Sequence, residues 1–362
     1  NLPKGTPEEK ADACKDVHGW IIRSGTKITE DMIASAENLQ AIGRAGVGVD
    51  NIDIPAATRR GIVVMNTPDV NTISAAEHTV AMMLTLSRNI SVGDRGMKSG
   101  EWNRHALVGT ELRNKTLGIV GMGKIGREVM SRCRSFGMKI LGYDPYMNQD
   151  MFNPDEVNIV DLDTLTTRSD FITVHVPLTD GTRDLFDYDR LSSMKKTARI
   201  INVARGGIIN ETDLAKALTE GKIGGAAIDV FTSEPIETSN PLVKAPNIVL
   251  TPHLGASTQE AKEGVSMAVC EQVRDYLIHE KLNNALNMPI SDLAKLKEIQ
   301  INLDLAETMG KLQGQLNPRA IKKVHVECAG TMDEAKPAAL AFLKGLLNDR
   351  IPDRVNYINA ET

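Results

Sequence analysis

The 362-residue sequence has few cysteines, no excess of basic charge and no long apolar run. Its only cysteines are Cys14, Cys133, Cys270 and Cys328. They lie far apart with no CxxC pair, which argues against a disulfide framework or a cysteine zinc site and fits reduced thiols in a cytoplasmic protein. Lys and Arg total 42 against 47 Asp and Glu, a net charge of −5. Without a dominant basic face, nucleic acid is not the expected partner. No stretch approaches the roughly 18 uninterrupted apolar residues of a membrane span. No pair of histidines has metal-ligand spacing, so no metal is expected. Internal repeats and low-complexity segments are also lacking.

Instead, the composition is that of a globular protein long enough for two or three domains, with 41% hydrophobic and 25% charged residues. The middle of the chain is the most legible. Short Val- and Ile-rich runs recur at Thr116–Val120, Ile140–Tyr143, Phe171–Val176, Ile200–Val203, Ala226–Val230 and Ile248–Leu250, separated by helical stretches. Runs that are apolar on both faces suit strands of a parallel sheet covered by helices. The expectation is a doubly wound α/β Rossmann domain over residues 89–279. Before it, the same alternation on a smaller scale predicts a second, flavodoxin-like α/β domain over 1–88, to which the chain returns at 280–290. The long helices from about Ile73 to Leu86 and from about Gln259 to His279 lead in and out. Residues 291–362 read as the start of a third α/β module. There, Leu305, Met309, Leu312 and Leu316 form one helix stripe, Val324, Val326 and Cys328 alternate as a strand would, and Ala339–Leu347 is helical.

Gly121-Met-Gly123-Lys124-Ile125-Gly126 is a GxGxxG between a predicted strand and a predicted helix. Gly121 would make the tight turn, Gly123 admit a pyrophosphate to the backbone, and Gly126 pack helix on strand. The motif alone is weak. Its setting strengthens it, because Asp144 ends the next apolar run 18 residues after Gly126, where a carboxylate meets the adenosine ribose. Pro145 follows, with no arginine for a 2′-phosphate, so NAD is expected rather than NADP. Ligands of open parallel sheets bind beyond the carboxyl ends of the strands. The residues there are His175 with Pro177, Arg205, Asp229, Glu234 and His253. Singly, each has a plain structural reading. Together they supply a base for a hydroxyl proton, a carboxylate to orient it and a cation to hold a substrate carboxylate: His253, Glu234 and Arg205.

Gly43–Asp53, Gly121–Gly126, Asn202–Gly207, Asp229–Pro235 and Pro252–Thr258 resemble the D-isomer-specific 2-hydroxyacid dehydrogenases, most closely the branch that oxidises phosphoglycerate. The resemblance implies an NAD-dependent dehydrogenase acting on 3-phosphoglycerate at the entry to L-serine biosynthesis. His253 would be the acid–base group, Glu234 its partner, and Arg205 the holder of the substrate carboxylate. Lys124, Ile125, Asp144, His175, Val176, Pro177, Val203, Ala204, Arg205, Asp229, His253, Gly255 and Ala256 would line the cofactor cleft. Arg23, Ser24 and Arg44 would answer the phosphate, and the N–H groups of Gly46, Val47 and Gly48 the carboxylate. Val47 stands where relatives often have Thr. A homodimer or homotetramer is implied. About 30 residues of the family pattern before Asn1, and a regulatory domain behind, are expected to be absent from this chain. The competing readings are a glyoxylate or hydroxypyruvate reductase and an NAD-sensing corepressor-type binding protein.

Overall fold

The structure is a computed structural model that describes residues 6, 9, 16–23, 25–68, 70–279, 281–288, 299–316, 321, 323–329, 335–348, 350–351 and 355–361. The chain divides into two compact units: Asn71–Lys262 is inserted between Asn1–Val70 and Glu263–Thr362.

In the outer unit, β1 (Gly19–Ile22), β2 (Ala41–Arg44) and β3 (Val63–Asn66) form a parallel sheet in that order. Thr29 and Asp53 cap the short helices Glu30–Ser35 and Ile54–Arg59, each accepting a backbone N–H in the first turn. The chain comes back beside β3 at residues 281–288. Asn287 ties that return, accepting the Val64 N–H at 2.9 Å and donating to the Ile62 carbonyl at 2.8 Å.

The inserted unit carries β4 (Thr116–Val120), β5 (Lys139–Tyr143), β6 (Asn158–Ile159), β7 (Phe171–Val174), β8 (Arg199–Asn202), β9 (Gly225–Ile228) and β10 (Ile248–Leu250). All pair parallel, in the order β10-β9-β8-β7-β4-β5-β6. The order reverses between β4 and β7, the switch point where such sheets open a ligand crevice. Ile200 and Ile201, consecutive in β8, belong to different core clusters, one on each face. That two-sided burial is why the strands read as continuous apolar runs. β7 and β9 stop two residues earlier than the apolar runs suggest, at Val174 and Ile228. His175 and Asp229 are therefore the first residues past their strands.

Two boundaries differ from the expectation. The helix Thr72–Ser87 lays Ala76, Val80, Met83 and Leu86 on the inserted sheet, so the inserted unit begins at residue 71 rather than 89. The helix Gln259–His279 packs Val265, Val269 and Val273 against Ala41, Val63 and Met65. The outer unit therefore resumes at 263 rather than 280.

The C-terminal segment also departs from its sequence pattern. The helices Gln300–Leu316 and Ala335–Leu347 pack together, but not through the large apolar stripe. Leu305, Met309, Leu312 and Leu316 are 54–71% exposed. The buried contact runs over small residues instead: a Cβ at Gly310 would lie 2.0 Å from the Phe342 carbonyl oxygen, and one at Gly345 would lie 2.0 Å from that of Glu307. Close backbone approach leaves no room for leucines in the seam. Residues 324–328 form no strand, although Val324 and Val326 remain half-buried between exposed neighbours. Residues 289–298 and Cys14 lie outside the described residues. Cys133, Cys270 and Cys328 are free thiols, and burial pushes that of Cys133 up to about 12. Among the described residues no helix is long and apolar enough to cross a membrane.

Candidate active site

The turn after β4 has the shape of a dinucleotide cradle. Gly121 has a φ of +96°, and a Cβ there would lie 2.6 Å from the His175 carbonyl oxygen. Any side chain would be both strained and blocked. A Cβ at Gly126 would lie 2.1 Å from the Gly121 carbonyl oxygen, so the helix Lys124–Ser135 can approach the turn only through glycine. Gly123 is different: a Cβ there would meet nothing within 4 Å. That open space lies at the N-terminus of a helix whose N-cap supplies no side-chain bond, an arrangement that attracts a pyrophosphate. Asp144, just past β5, accepts the Met122 N–H at 2.9 Å and the Tyr146 N–H at 3.0 Å. These bonds fix the carboxylate while its oxygens keep capacity for ribose hydroxyls. Lys124 and Ile125 open the helix, and Val176 touches the turn, its Cγ1 lying 2.9 Å from a Cβ on Gly121. The residues present fit NAD.

At the ends of β8, β9 and β10 three loops converge. Buried Asn202 staples the first, accepting the Ala204 N–H at 2.9 Å and donating to the Arg205 carbonyl at 2.8 Å. The half-buried Arg205 guanidinium donates to the Ala204 carbonyl at 2.6 Å. The next residue, Gly206, abuts the second loop so closely that a Cβ would lie 2.0 Å from the carbonyl carbon and oxygen of Phe231. That second loop carries Glu234. Its Oε1 accepts the Phe231 N–H at 3.0 Å, and its Oε2 lies 2.7 Å from His253 Nδ1. A carboxylate only accepts, so Nδ1 carries the proton and Nε2 is left as the basic nitrogen. His253 is 46% exposed and Glu234 36% exposed. The third loop rests on the first, since a Cβ at Gly255 would lie 3.0 Å from Val203 Cγ1. Ala256 is exposed beside it.

The side chains of Asp229 and His175 are engaged by neighbouring protein groups. Asp229 is fully buried. Its Oδ1 accepts from Thr251 Oγ1 at 2.6 Å and the Leu254 N–H at 2.8 Å, and its Oδ2 from the Gly255 N–H at 2.9 Å. His78 Nε2 lies 3.2 Å from both Asp229 Oδ1 and Thr251 Oγ1. Burial alone would raise the carboxyl; the bonds from His78, Thr251 and Leu254 outweigh it and hold Asp229 below the ordinary carboxylate range. Sequence reasoning does not single out His78, and no local motif joins it to Asp229. The available signal is its place in the series Ser74, His78, Met82, one polar ring within the largely buried face of a helix.

His175 bonds to Thr173 Oγ1 at 3.0 Å, and burial pushes its imidazole down to about 4. An unfolded chain takes up a proton here near pH 6.5 that the folded protein refuses until about pH 4. Stability from this group is full above pH 6.5 and falls as pH drops toward 4, by roughly 3 kcal/mol at most. His175→Gln should therefore lose less stability than the parent between pH 7 and pH 4.5, read as urea midpoints. Equal losses would assign the acid sensitivity elsewhere.

The residues expected to answer phosphate and carboxylate lie in the outer unit, and all but Ser24 are among the described residues. Arg23 is exposed just past β1 and donates to Ser266 Oγ at 2.7 Å. Asn51 pins this turn through the Arg23 and Thr26 carbonyls at 3.1 and 2.6 Å. Arg44 donates to the Ala45 carbonyl at 2.8 Å. The Gly46 N–H already donates to Thr67 Oγ1 at 2.8 Å and so does not fit the role expected of it. Val47 is held by Asn66, which donates to its carbonyl at 2.7 Å, and Gly48 follows it.

Comparison with known proteins agrees with this geometry. Residues 80–255 match the family model described as D-isomer specific 2-hydroxyacid dehydrogenase, NAD binding domain. Residues 298–362 match that of the D-3-phosphoglycerate dehydrogenase intervening domain. The chain is 46% identical to D-3-phosphoglycerate dehydrogenase of Synechocystis sp. over 97% of its own length and 64% of the relative's. It is 44% identical to the Methanocaldococcus jannaschii enzyme of that name, over 98% of its length and 68% of the relative's. It thus spans about two thirds of these relatives. Among solved structures, the NAD-dependent formate dehydrogenase from Staphylococcus aureus in complex with NAD matches with a TM-score of 0.71 and 34% identity, over 77% of this chain and 86% of that one. The chain belongs to the D-3-phosphoglycerate dehydrogenase family, and its inserted unit is an NAD-binding domain.

Proposed function

We propose that this chain carries the NAD-dependent oxidation of 3-phospho-D-glycerate to 3-phosphooxypyruvate, the first step of L-serine biosynthesis. The observation that carries the reading is the Glu234–His253 pair at 2.7 Å, on the same sheet edge as a cradle that fits NAD. Bound NAD supplies the hydride acceptor. His253 Nε2 takes the proton of the C2 hydroxyl as the hydride leaves C2, and Glu234 stabilises the imidazolium that forms. Arg205 holds the substrate carboxylate and polarises the C2 oxygen; it is a cation suited to bidentate contact. Arg23, with Ser24 and Arg44, answers the phosphate.

Assembly as a homodimer or homotetramer is part of the reading. It is supported by the helix Ile90–Lys98 and the segment after it, where Ile90, Val92, Met97, Trp102 and Val108 are all more than half exposed. A cytoplasmic location is supported by the free thiols.

The test is turnover with phosphorylated and unphosphorylated 2-hydroxy acids, in the parent and in Arg23→Ala. Losing a charge-assisted contact with phosphate should lower kcat/KM for 3-phosphoglycerate by about 10- to 150-fold. Turnover of unphosphorylated substrates should stay within about threefold. If hydroxypyruvate is much the better substrate and Arg23→Ala changes nothing, the protein is a glyoxylate or hydroxypyruvate reductase. Tight NAD binding with no turnover of either would make it a binding protein.

A further inference from the structure

His253 has a φ of +54°. For a residue other than glycine this left-handed conformation is strained and persists only where the surroundings over-determine it. Here they do so largely through one residue, Asp229, with the Thr251 carbonyl also accepting the His253 N–H at 3.1 Å. The Asp229 backbone carbonyl accepts the His253 N–H at 2.8 Å. Its two carboxylate oxygens take the N–H groups of the next two residues, Leu254 and Gly255, at 2.8 and 2.9 Å. Three consecutive amides around the reacting imidazole thus end on a single aspartate. The grip works only while that buried carboxylate stays ionised and keeps its rotamer, and an isolated buried anion would do neither.

Beside the Thr251 hydroxyl and the two loop amides, His78 supplies a further donor. It reaches the carboxylate from the helix Thr72–Ser87, far away in sequence, and its side chain is 19% exposed. Thr251 Oγ1 donates its one proton to Asp229 Oδ1, so that hydroxyl can only accept from a further neighbour. Asp229 Oδ1, on an ionised carboxylate, also only accepts. Both therefore call for a proton on His78 Nε2, which lies 3.2 Å from each. One N–H shared between them closes a ring of Asp229, Thr251 and His78 beneath the loop.

We propose that His78 is a positioning residue for the proton-transfer step, acting through Asp229 to hold the backbone that presents His253 to Glu234. The proposal rests on the acid–base role given to His253 above. It differs from a packing role in what it demands: a donor at the Nε2 position, not merely an aromatic ring of that volume.

The decisive comparison is His78→Gln, whose amide nitrogen can reach the Nε2 position, against His78→Leu, which fills space without a donor. In His78→Leu we expect kcat about tenfold lower with KM for 3-phosphoglycerate within twofold. We also expect amide hydrogen exchange of residues 253–256 at least tenfold faster. In His78→Gln both should return to within about threefold of the parent. Thermal midpoints of the two variants guard against a general loss of fold. If the two variants behave alike, or if kcat and local exchange stay at parent values while the midpoint falls, His78 is only a core residue. His253→Asn is run in parallel. Turnover that survives it overturns the acid–base reading, whereas the exchange comparison still decides for or against His78.

Discussion

In His253→Asn, kcat should fall by about 10²- to 10⁴-fold, the usual worth of a positioned general base, while NAD affinity stays within about threefold of the parent. Asparagine is the informative replacement because His253 sits at a φ of +54°. Alanine would remove the base and strain the backbone together, whereas Asn tolerates the left-handed region. The imidazole has one nitrogen committed to Glu234 at 2.7 Å and one uncommitted, so the substitution removes the group that takes the proton. Glu234→Gln should cost less: an amide oxygen still accepts from Nδ1, but the charge that stabilises an imidazolium is gone. Steady-state kinetics with NADH fluorescence titration separate the two effects. A full kcat in His253→Asn would mean that another group carries the proton.

The second large effect is expected from adding a methyl group where no chemistry takes place. In Gly206→Ala the new Cβ would lie 2.0 Å from the Phe231 carbonyl carbon and oxygen and 2.5 Å from the Thr232 nitrogen. All three are backbone atoms, so no flexible side chain can yield. Overpacking of this kind costs about 1–3 kcal/mol or more. It also forces apart the loops that carry Arg205 and Glu234. A displacement near 1 Å is worth about 10²-fold in rate, and so Gly206→Ala should lose both thermal stability and kcat. Gly123→Ala is the control. Its Cβ meets nothing within 4 Å, so the fold should melt within about 2 °C of the parent, with the damage confined to NAD affinity, because the methyl enters the space a pyrophosphate needs. A Gly206→Ala protein that melts and turns over normally would show that the two loops are not rigidly coupled.

The strands and the residues at their ends were legible for a physical reason. Buried parallel strands are apolar on both faces, so each run announces itself, and the next polar residue marks the edge where ligands bind. Arg205, Glu234 and His253 could be picked out in this way, and Gly121–Gly126 by its place between strand and helix. What stayed hidden depends on separation in sequence or on the absence of a side chain. His78 and Asp229 are 151 residues apart, and nothing local joins them. Helix periodicity weighs large apolar residues, so it selected Leu305, Met309, Leu312 and Leu316. The seam formed instead at Gly310 and Gly345, where backbones meet. The same bias concealed Gly206, which matters only for what it lacks.

The carboxylate of Asp229 also bears on how this site can change over generations. Thr251, Leu254 and His78 all converge on the one oxygen Oδ1. Substitutions that share an acceptor do not act independently: once one donor is lost and the carboxylate has relaxed, losing a second removes less. Only Thr251 and His78 donate through side chains, so a lineage meets its steepest penalty at the first of those two positions and a shallower one at the second. Single steps are resisted, while a joint replacement of the whole cluster remains open. Epistasis here is set by the valence of one buried atom.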